Sequence, residues 1–251
     1  MAPGDAAEHV YEFPLSGTMA GLLELEAVVR TLEEARHWEV PVFQHMAAAR
    51  LAGYLGEIAP EGLETGLIRE TRRWTEYLGD LAARPGADTD KVQRLRSGLD
   101  QLADRLPRDW PAYFQALEED PWIAAYRASL RPDAEPDVRL GSAAWAASPD
   151  AADRFDRWLE LLGPVRTAGE TILRLLRDSL QREELRLDGE GHTLEWDRAP
   201  ISGLVEVRVL GAPSLPSFEP GPTGVRVGLH TSDRLAVSPE PVDVVLGWFT
   251  L

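Results

Sequence analysis

The sequence predicts an α+β protein: a mainly helical, bundle-like domain and a smaller antiparallel β domain. Three observations carry this. Across residues 16–181 apolar residues recur three and four apart, the period of a helix with one buried face. From residue 182 onward they alternate or fall into short β-branched blocks, the period of strands. A short alternating segment near the N-terminus, Val10-Tyr11-Glu12-Phe13, has nothing to pair with among helices and is expected to join the C-terminal sheet. The expected organisation is a helical domain over 16–181 and a β domain built from 8–15 and 182–251.

Each element has its own signal. Ser16 and Thr18 can cap a helix striped by Met19, Leu22, Leu25, Val29 and Leu32. Pro41 suits the first turn of a second helix carrying Phe43, Met46, Leu51 and Leu55, which Pro60 stops. A third runs from Glu61 towards Ala83 with Leu63, Leu67, Thr71, Trp74, Leu78 and Leu81 on one face. Asp88 is a good N-cap for a fourth, whose Val92, Leu95, Leu99, Leu102 and Leu106 suit a long neighbouring helix of this chain or a partner's. Two short helices follow, one with Trp110, Tyr113, Phe114 and Leu117, the other opening at Asp120-Pro121. Residues 132–141 read as a loop. Ser148-Pro149-Asp150 caps a helix bearing Phe155, Trp158 and Leu162, which Gly163-Pro164 breaks or kinks before a further helix with Ile172, Leu173, Leu176 and Leu180.

In the second part, Leu185 to Trp196 around Asp188-Gly189-Glu190-Gly191 reads as a hairpin. Leu204 to Leu210 alternates valines with Glu206 and Arg208, a strand with one wet face. Residues 211–224 read as a Pro/Gly-rich loop, Val225, Val227 and Leu229 as a strand, and Val242 to Leu251 as a buried strand.

Composition excludes several classes of function. With 44% hydrophobic residues, 8 Trp and 19 Pro in 251 residues, the chain is globular and can bury a substantial core. Residues 1–10 lack the basic start and apolar core of a secretion signal, and no apolar run reaches the ~20 residues that span a bilayer. There is no cysteine, hence no disulfide, thiolate site or cysteine nucleophile. A cytoplasmic location is expected. The formal net charge of −16 repels phosphate backbones and anionic lipid, so neither nucleic acid nor a membrane surface is an expected partner. One lysine stands against 25 arginines, as a GC-rich genome would give; the excess of acid is what a salt-adapted proteome would show.

The chemistry-bearing residues form no catalytic constellation. The histidines at 9, 37, 45, 192 and 230 lack metal-ligand spacing, and His192 and Glu195, three apart on a strand, face opposite ways. No nucleophile elbow, His-Glu-x-x-His or phosphate-binding glycine loop occurs. Asp88 and Asp90 are explained by capping, Glu118-Glu119 and Glu183-Glu184 by solvated faces, and the tryptophans at 74, 110, 122 and 158 by core stripes. No catalytic residue, metal site, cofactor or small-molecule substrate is expected, and the function left is binding another protein.

Particular residues then resemble a family. Tyr11-Glu12-Phe13-Pro14-Leu15 followed by Met19, Leu23, Leu25 and Glu26 looks like the opening of ZapD, a bacterial cell-division protein that binds the tubulin-like FtsZ. The likeness continues in Leu117-Glu118-Glu119-Asp120-Pro121-Trp122-Ile123 and in Trp158, Leu162, Pro164 and Ala168. It extends through Ile172 to Ser179, Leu215-Pro216, Val225-Arg226-Val227, Pro239-Glu240 and Val242-Asp243. The resemblance implies a symmetric homodimer, formed through the helical domain, that crosslinks FtsZ protofilaments at the midcell division ring by engaging their C-terminal tails. It implies neither cofactor nor catalysis. A dimeric adaptor of the same fold with another protein partner is the alternative. In the family the tail groove uses an arginine pair four apart on one strand and another arginine after the second helix. Those positions fall here on Gly224, Gly228 and Leu55, with Arg226 between the glycines and Arg208 expected on a neighbouring strand. The dimer interface stays open between the 92–106 stripe and the two N-terminal helices.

Overall fold

The helix starts follow from their first residues. The computed structural model describes residues 8–57, 60–129, 145, 151–188, 190–210, 214–231 and 241–251. Helix α1 (Gly17–Ala35) begins after Ser16, whose hydroxyl accepts the Met19 N–H at 3.3 Å. Prolines open α2 (Pro41–Glu57) and α3 (Pro60–Ala82), where a missing N–H costs nothing. Asp88 caps α4 (Thr89–Glu118) by accepting the Lys91 N–H at 3.0 Å. Asp120 caps α5 (Pro121–Ser129): Oδ1 accepts from the Trp122 and Ile123 N–H groups, and Oδ2 accepts from Trp158 Nε1 at 3.1 Å. The last helix is α6 (Ala151–Ser179). The expected cap at Ser148-Pro149-Asp150 and loop at 132–141 lie outside the described residues.

Two expected interruptions are absent. Helix α4 runs on through Pro107 instead of giving way to a separate short helix, because Leu99, Leu106, Trp110, Phe114 and Leu117 continue one buried stripe. Helix α6 runs through Gly163-Pro164, with Leu162, Val165 and Ala168 buried on both sides of the proline. In each case packing of a long apolar face outweighs the hydrogen bond that proline forfeits.

The chain divides into two compact units, Gly21–Leu173 and Met1–Ala20 with Arg174–Leu251, so the division falls within α1 and α6. In the helical unit α3 and α4 form a hairpin. Thr75 Oγ1 donates to Asp100 at 3.4 Å, and the Arg96 guanidinium lies 3.6 Å from where a Cβ on Gly79 would stand. The 92–106 stripe therefore packs on α3 of its own chain. Helices α1, α2 and α6 are tied by Arg50–Glu24, Arg166–Glu33 and Arg36–Asp156, and α5 joins α6 through an aromatic group in which Trp122 of α5 meets Trp145, itself packed on Phe155 and Trp158. Buried His45 on α2 shares a hydrogen bond with Tyr126 on α5 through Nδ1, and burial holds the imidazole pKa below its usual value and the phenol's above.

The β unit holds two antiparallel sheets. Strands β1 (Glu8–Pro14), β4 (Gly203–Leu210), β7 (Val242–Thr250) and β2 (Gln181–Leu187) form the first in that spatial order; β3 (His192–Glu195), β6 (Gly224–Thr231) and β5 (Ser214–Gly221) form the second. The N-terminal strand pairs with β4, Tyr11 opposite Val207. One core of ten buried Leu and Val residues, each contributing about 2 kcal/mol, draws on both sheets.

Three expectations about this unit are corrected. Leu185 to Trp196 is not a hairpin: β2 pairs with β7 and β3 with β6, so the turn after Leu187 carries the chain from one sheet to the other. A turn signal between alternating segments cannot tell these connections apart. Residues 214–221 are not loop but edge strand β5. An edge tolerates proline where the N–H faces away from the partner, and Pro216 and Pro220, four apart, share one orientation. The face of β4 expected to be wet is largely covered: Glu206 is 3% exposed and bonded to Arg182 at 3.2 Å and Arg208 at 2.6 Å, and only Arg208 and Leu210 of that face reach solvent.

Leu99→Ala should lower the unfolding free energy by about 3 kcal/mol in a urea titration, with the solution mass of the parent retained, because the stripe is filled from within the chain. His45 supplies a pH signature. Its folded pKa lies below the unfolded value of 6.5, so its contribution is complete above pH 6.5 and is lost as pH falls below it. Between about pH 8 and pH 5 the melting temperature of the parent should fall more steeply than that of His45→Gln.

Candidate partner-binding site

The outward face of the second sheet carries three of the five residues that the sequence singled out. Val225, Val227 and Leu229 point into the core, so Gly224, Arg226, Gly228 and His230 line the other face of β6. Opposite Arg226 stand Thr193 on β3 and Glu219 on β5. The Arg226 guanidinium is exposed and donates from Nε and Nη2 to the Glu190 carbonyl at 3.2 and 2.6 Å. That holds it at the turn between β2 and β3. His230 shares a 3.0 Å hydrogen bond with Ser217 on β5.

The two glycines are not equivalent. A Cβ at Gly224 would stand 2.5 Å from the Leu194 carbonyl oxygen of β3, closer than any side chain allows. At Gly228 it would meet only the Ser217 hydroxyl, at 2.9 Å, which can rotate aside. The close approach of β3 to β6 thus excludes an arginine at 224 on this backbone, whereas 228 is open to one.

Arg208 does not join Arg226. Strand β4 belongs to the first sheet, and Arg208 sits on its outward face among Glu206 and Glu8, at 2.6 and 3.2 Å. The expectation of neighbouring strands fails because the sheets stack instead of forming one. Leu55 is 1% exposed in the core of the helical unit, so it offers no side chain to a partner. Of the five residues, the structure gathers Gly224, Arg226 and Gly228 on one strand face and separates the other two.

What the sequence reading missed is a groove of about 460 Å³ within the β unit, beside Gly224. Its walls are the β1–α1 junction from Phe13 to Gly17, Trp196 and Pro200 after β3, and the Pro220-Gly221-Pro222 turn between β5 and β6. Phe13 stacks on Phe218 at 4.8 Å, and the Trp196 backbone N–H donates to the Thr223 carbonyl at 2.8 Å, which ties the chain at Trp196 to the turn. A signal was there: aromatic and proline residues cluster at 13–14, 196–200 and 220–222, but only the fold brings them together. An open, mostly apolar, proline-lined cleft fits an extended peptide better than a small polar metabolite. Among the described residues no group of three or more His, Asp or Glu side chains could hold a metal, and no helix is long and apolar enough to cross a membrane.

Comparison with known proteins gives the family. The family model for ZapD, a cell division protein, matches residues 23–209. The chain belongs to the ZapD family. Cell division protein ZapD of Ralstonia pickettii (strain 12J) is 27% identical over 176 residues, covering 68% of this chain and 70% of that protein. Cell division protein ZapD of Azoarcus sp. (strain BH72) is 26% identical over 180 residues, covering 70% and 72%. These relatives carry the name of a cell division protein and not of an enzyme. In this ZapD family member the matched segment spans the helical unit and continues through β2, β3 and most of β4. Gly224, Arg226 and Gly228 lie beyond it.

Gly224→Arg should destabilise the protein by about 2 kcal/mol in a urea titration, because the side chain cannot clear the Leu194 carbonyl. Gly228→Arg should keep at least most of the parent's stability, since only a hydroxyl must turn.

Proposed function

We propose that this chain binds FtsZ as a symmetric dimer and crosslinks its protofilaments at the midcell division ring, in the cytoplasm. Each protomer captures an FtsZ C-terminal tail along the groove beside β6. Membership of the ZapD family, whose relatives are named cell division proteins, supports this task, and the observation that supports the binding mode is the Trp196–proline groove adjoining the strand where the resemblance would put an arginine pair. With one arginine, Arg226, on that face among the described residues, apolar contact supplies most of the affinity and the guanidinium orients the tail. Bivalency then turns modest single-site affinity into filament bridging.

Co-sedimentation with polymerised FtsZ of the same organism, full-length and tail-truncated, tests this. Tail removal should abolish pelleting, and Trp196→Ala should weaken it about tenfold or more. Raising salt from about 0.1 M to 1 M should change the affinity little, since screening acts on exposed charge and not on apolar contact. Pelleting that survives tail removal undiminished sinks the proposed mode.

A further inference from the structure

The outer side of helix α2 is apolar where a solvated helix would be charged. Between Glu39 and Arg50 the exposed residues are Val40, Phe43 and Met46, with 46%, 50% and 58% of their surface open. His45, Ala47, Ala48 and Leu51, on the other side, are buried. No Asp, Glu, Lys or Arg occurs from Val40 to Ala49. Half-buried Trp38 meets the ring of Phe43 edge-on at 6.0 Å and widens the patch. Three large apolar side chains in a row on the open side of a helix mark a contact surface.

The residues on this row say what covers it. Glu39, Phe43, Met46 and Arg50 are four, three and four residues apart, and that spacing is the same read from either end. Laid antiparallel on a copy of itself, the row sets Phe43 against the second copy's Met46 and Glu39 against its Arg50. Each contact then occurs twice, as a two-fold axis requires. Sulfur–aromatic contact fills the centre, and opposite charges close both ends. Glu39 makes no ion pair among the described residues. Arg50 already donates to Glu24 and Thr31, but those three bonds leave two of the five N–H groups of a guanidinium free. Arg166 of the same unit serves two carboxylates in this way, Glu33 and Glu170. Overall charge points in the same direction. Two chains of formal net charge −16 repel, and a row holding one acid and one base lets them meet at little cost.

We infer that the exposed side of α2 is the contact between two copies of this chain, the helices lying antiparallel about a two-fold axis between Phe43 and Met46. The inference rests on the dimer of the proposed function and supplies its interface. Of the two regions the sequence left open for that interface, the 92–106 stripe packs on α3 of its own chain, which leaves the N-terminal helices.

Sedimentation velocity of the full-length chain across a concentration series tests it. The parent should sediment as a dimer. Met46→Glu places a carboxylate at the centre of the row, on an exposed position, so the circular-dichroism spectrum should be kept while the mass halves. Glu39→Arg sets two cations together at each end and should raise the dissociation constant about tenfold or more. Adding Arg50→Glu to it restores opposite charges and should recover most of that loss, although the contact of Arg50 with Glu24 inside the chain is given up. A dimeric Met46→Glu with the parent's dissociation constant overturns the inference and leaves the dimer of the proposed function to another surface. A parent that stays monomeric overturns both, while tail capture, read by pelleting with FtsZ, is judged separately. If Met46→Glu is monomeric but the charge exchange changes nothing, the antiparallel register is wrong and the inference falls with it.

Discussion

The β unit depends on the pairing of its first strand with a strand some two hundred residues later. All seven residues of β1 are in register with β4, from Glu8 opposite Leu210 to Pro14 opposite Leu204. Side-chain contacts hold that register on both faces. Inward, Phe13 stacks on Phe218 of the other sheet; outward, Glu12 takes a bidentate pair of 2.7 Å bonds from Arg177 at the end of α6. A slip of one residue would exchange the two faces, burying Glu12 in the core and exposing Phe13. Because Pro14 to Gly17 continue directly from this strand into α1, the same pairing sets one wall of the β-unit groove. The Leu15 N–H bonded to the Gly203 carbonyl at 3.1 Å, and the Leu15 side chain pressed against Gly203, carry the constraint one step further.

The parts of the fold that could be read from the sequence are those set by local chemistry. Ser16, Asp88 and Asp120 cap the helices they precede, and the N-terminal alternation is a strand that joins the C-terminal ones. What could not be read depends on the neighbour. Pro107 and Pro164 argue locally for breaks, yet each lies in a helix whose apolar stripe has a surface to pack on throughout its length. Pro216 and Pro220 argue locally for a loop, and only the edge position of β5 makes them compatible with pairing. Glu206 looks like a solvent-facing residue until Arg182 and Arg208 are placed beside it. Periodicity reports that a face is buried; it does not report against what.

The candidate site follows the same rule. Alternation alone puts Gly224, Arg226 and Gly228 on one face of a strand, and the structure keeps them there. It cannot say that β4 and β6 belong to different sheets, which is why Arg208 was expected beside Arg226. Leu55 was named for the site only because the family's arginine position falls on it, while its own place on an apolar stripe already marked it for the core where the structure puts it. The groove itself is assembled from three stretches far apart in the chain. Its residues are unremarkable one at a time, and their shared apolar character becomes a site only through the β1–β4 pairing and the short β5–β6 turn.

The glycine at 224 connects this geometry to how a partner can be held. A family arginine at that position needs a Cβ, and a Cβ there collides with the Leu194 carbonyl, so β3 and β6 can approach this closely only if the charge is given up. The closeness draws Glu195 and the following Trp196 towards the β5–β6 turn, where the Trp196 backbone N–H meets the Thr223 carbonyl. On the proposed binding mode, charge recognition is exchanged for an apolar wall that includes Trp196. For an isolated site that exchange forfeits long-range steering, since apolar contact acts only on touching. For a bridging dimer the loss matters less, because once one protomer is bound the second site meets its target at an effective concentration of order millimolar. Encounter of the second site is then governed by geometry instead of by charge, and an acidic protein that binds its partner through such a groove avoids the salt screening, and the pairing with its own carboxylates, to which a basic groove in the same surface would be subject.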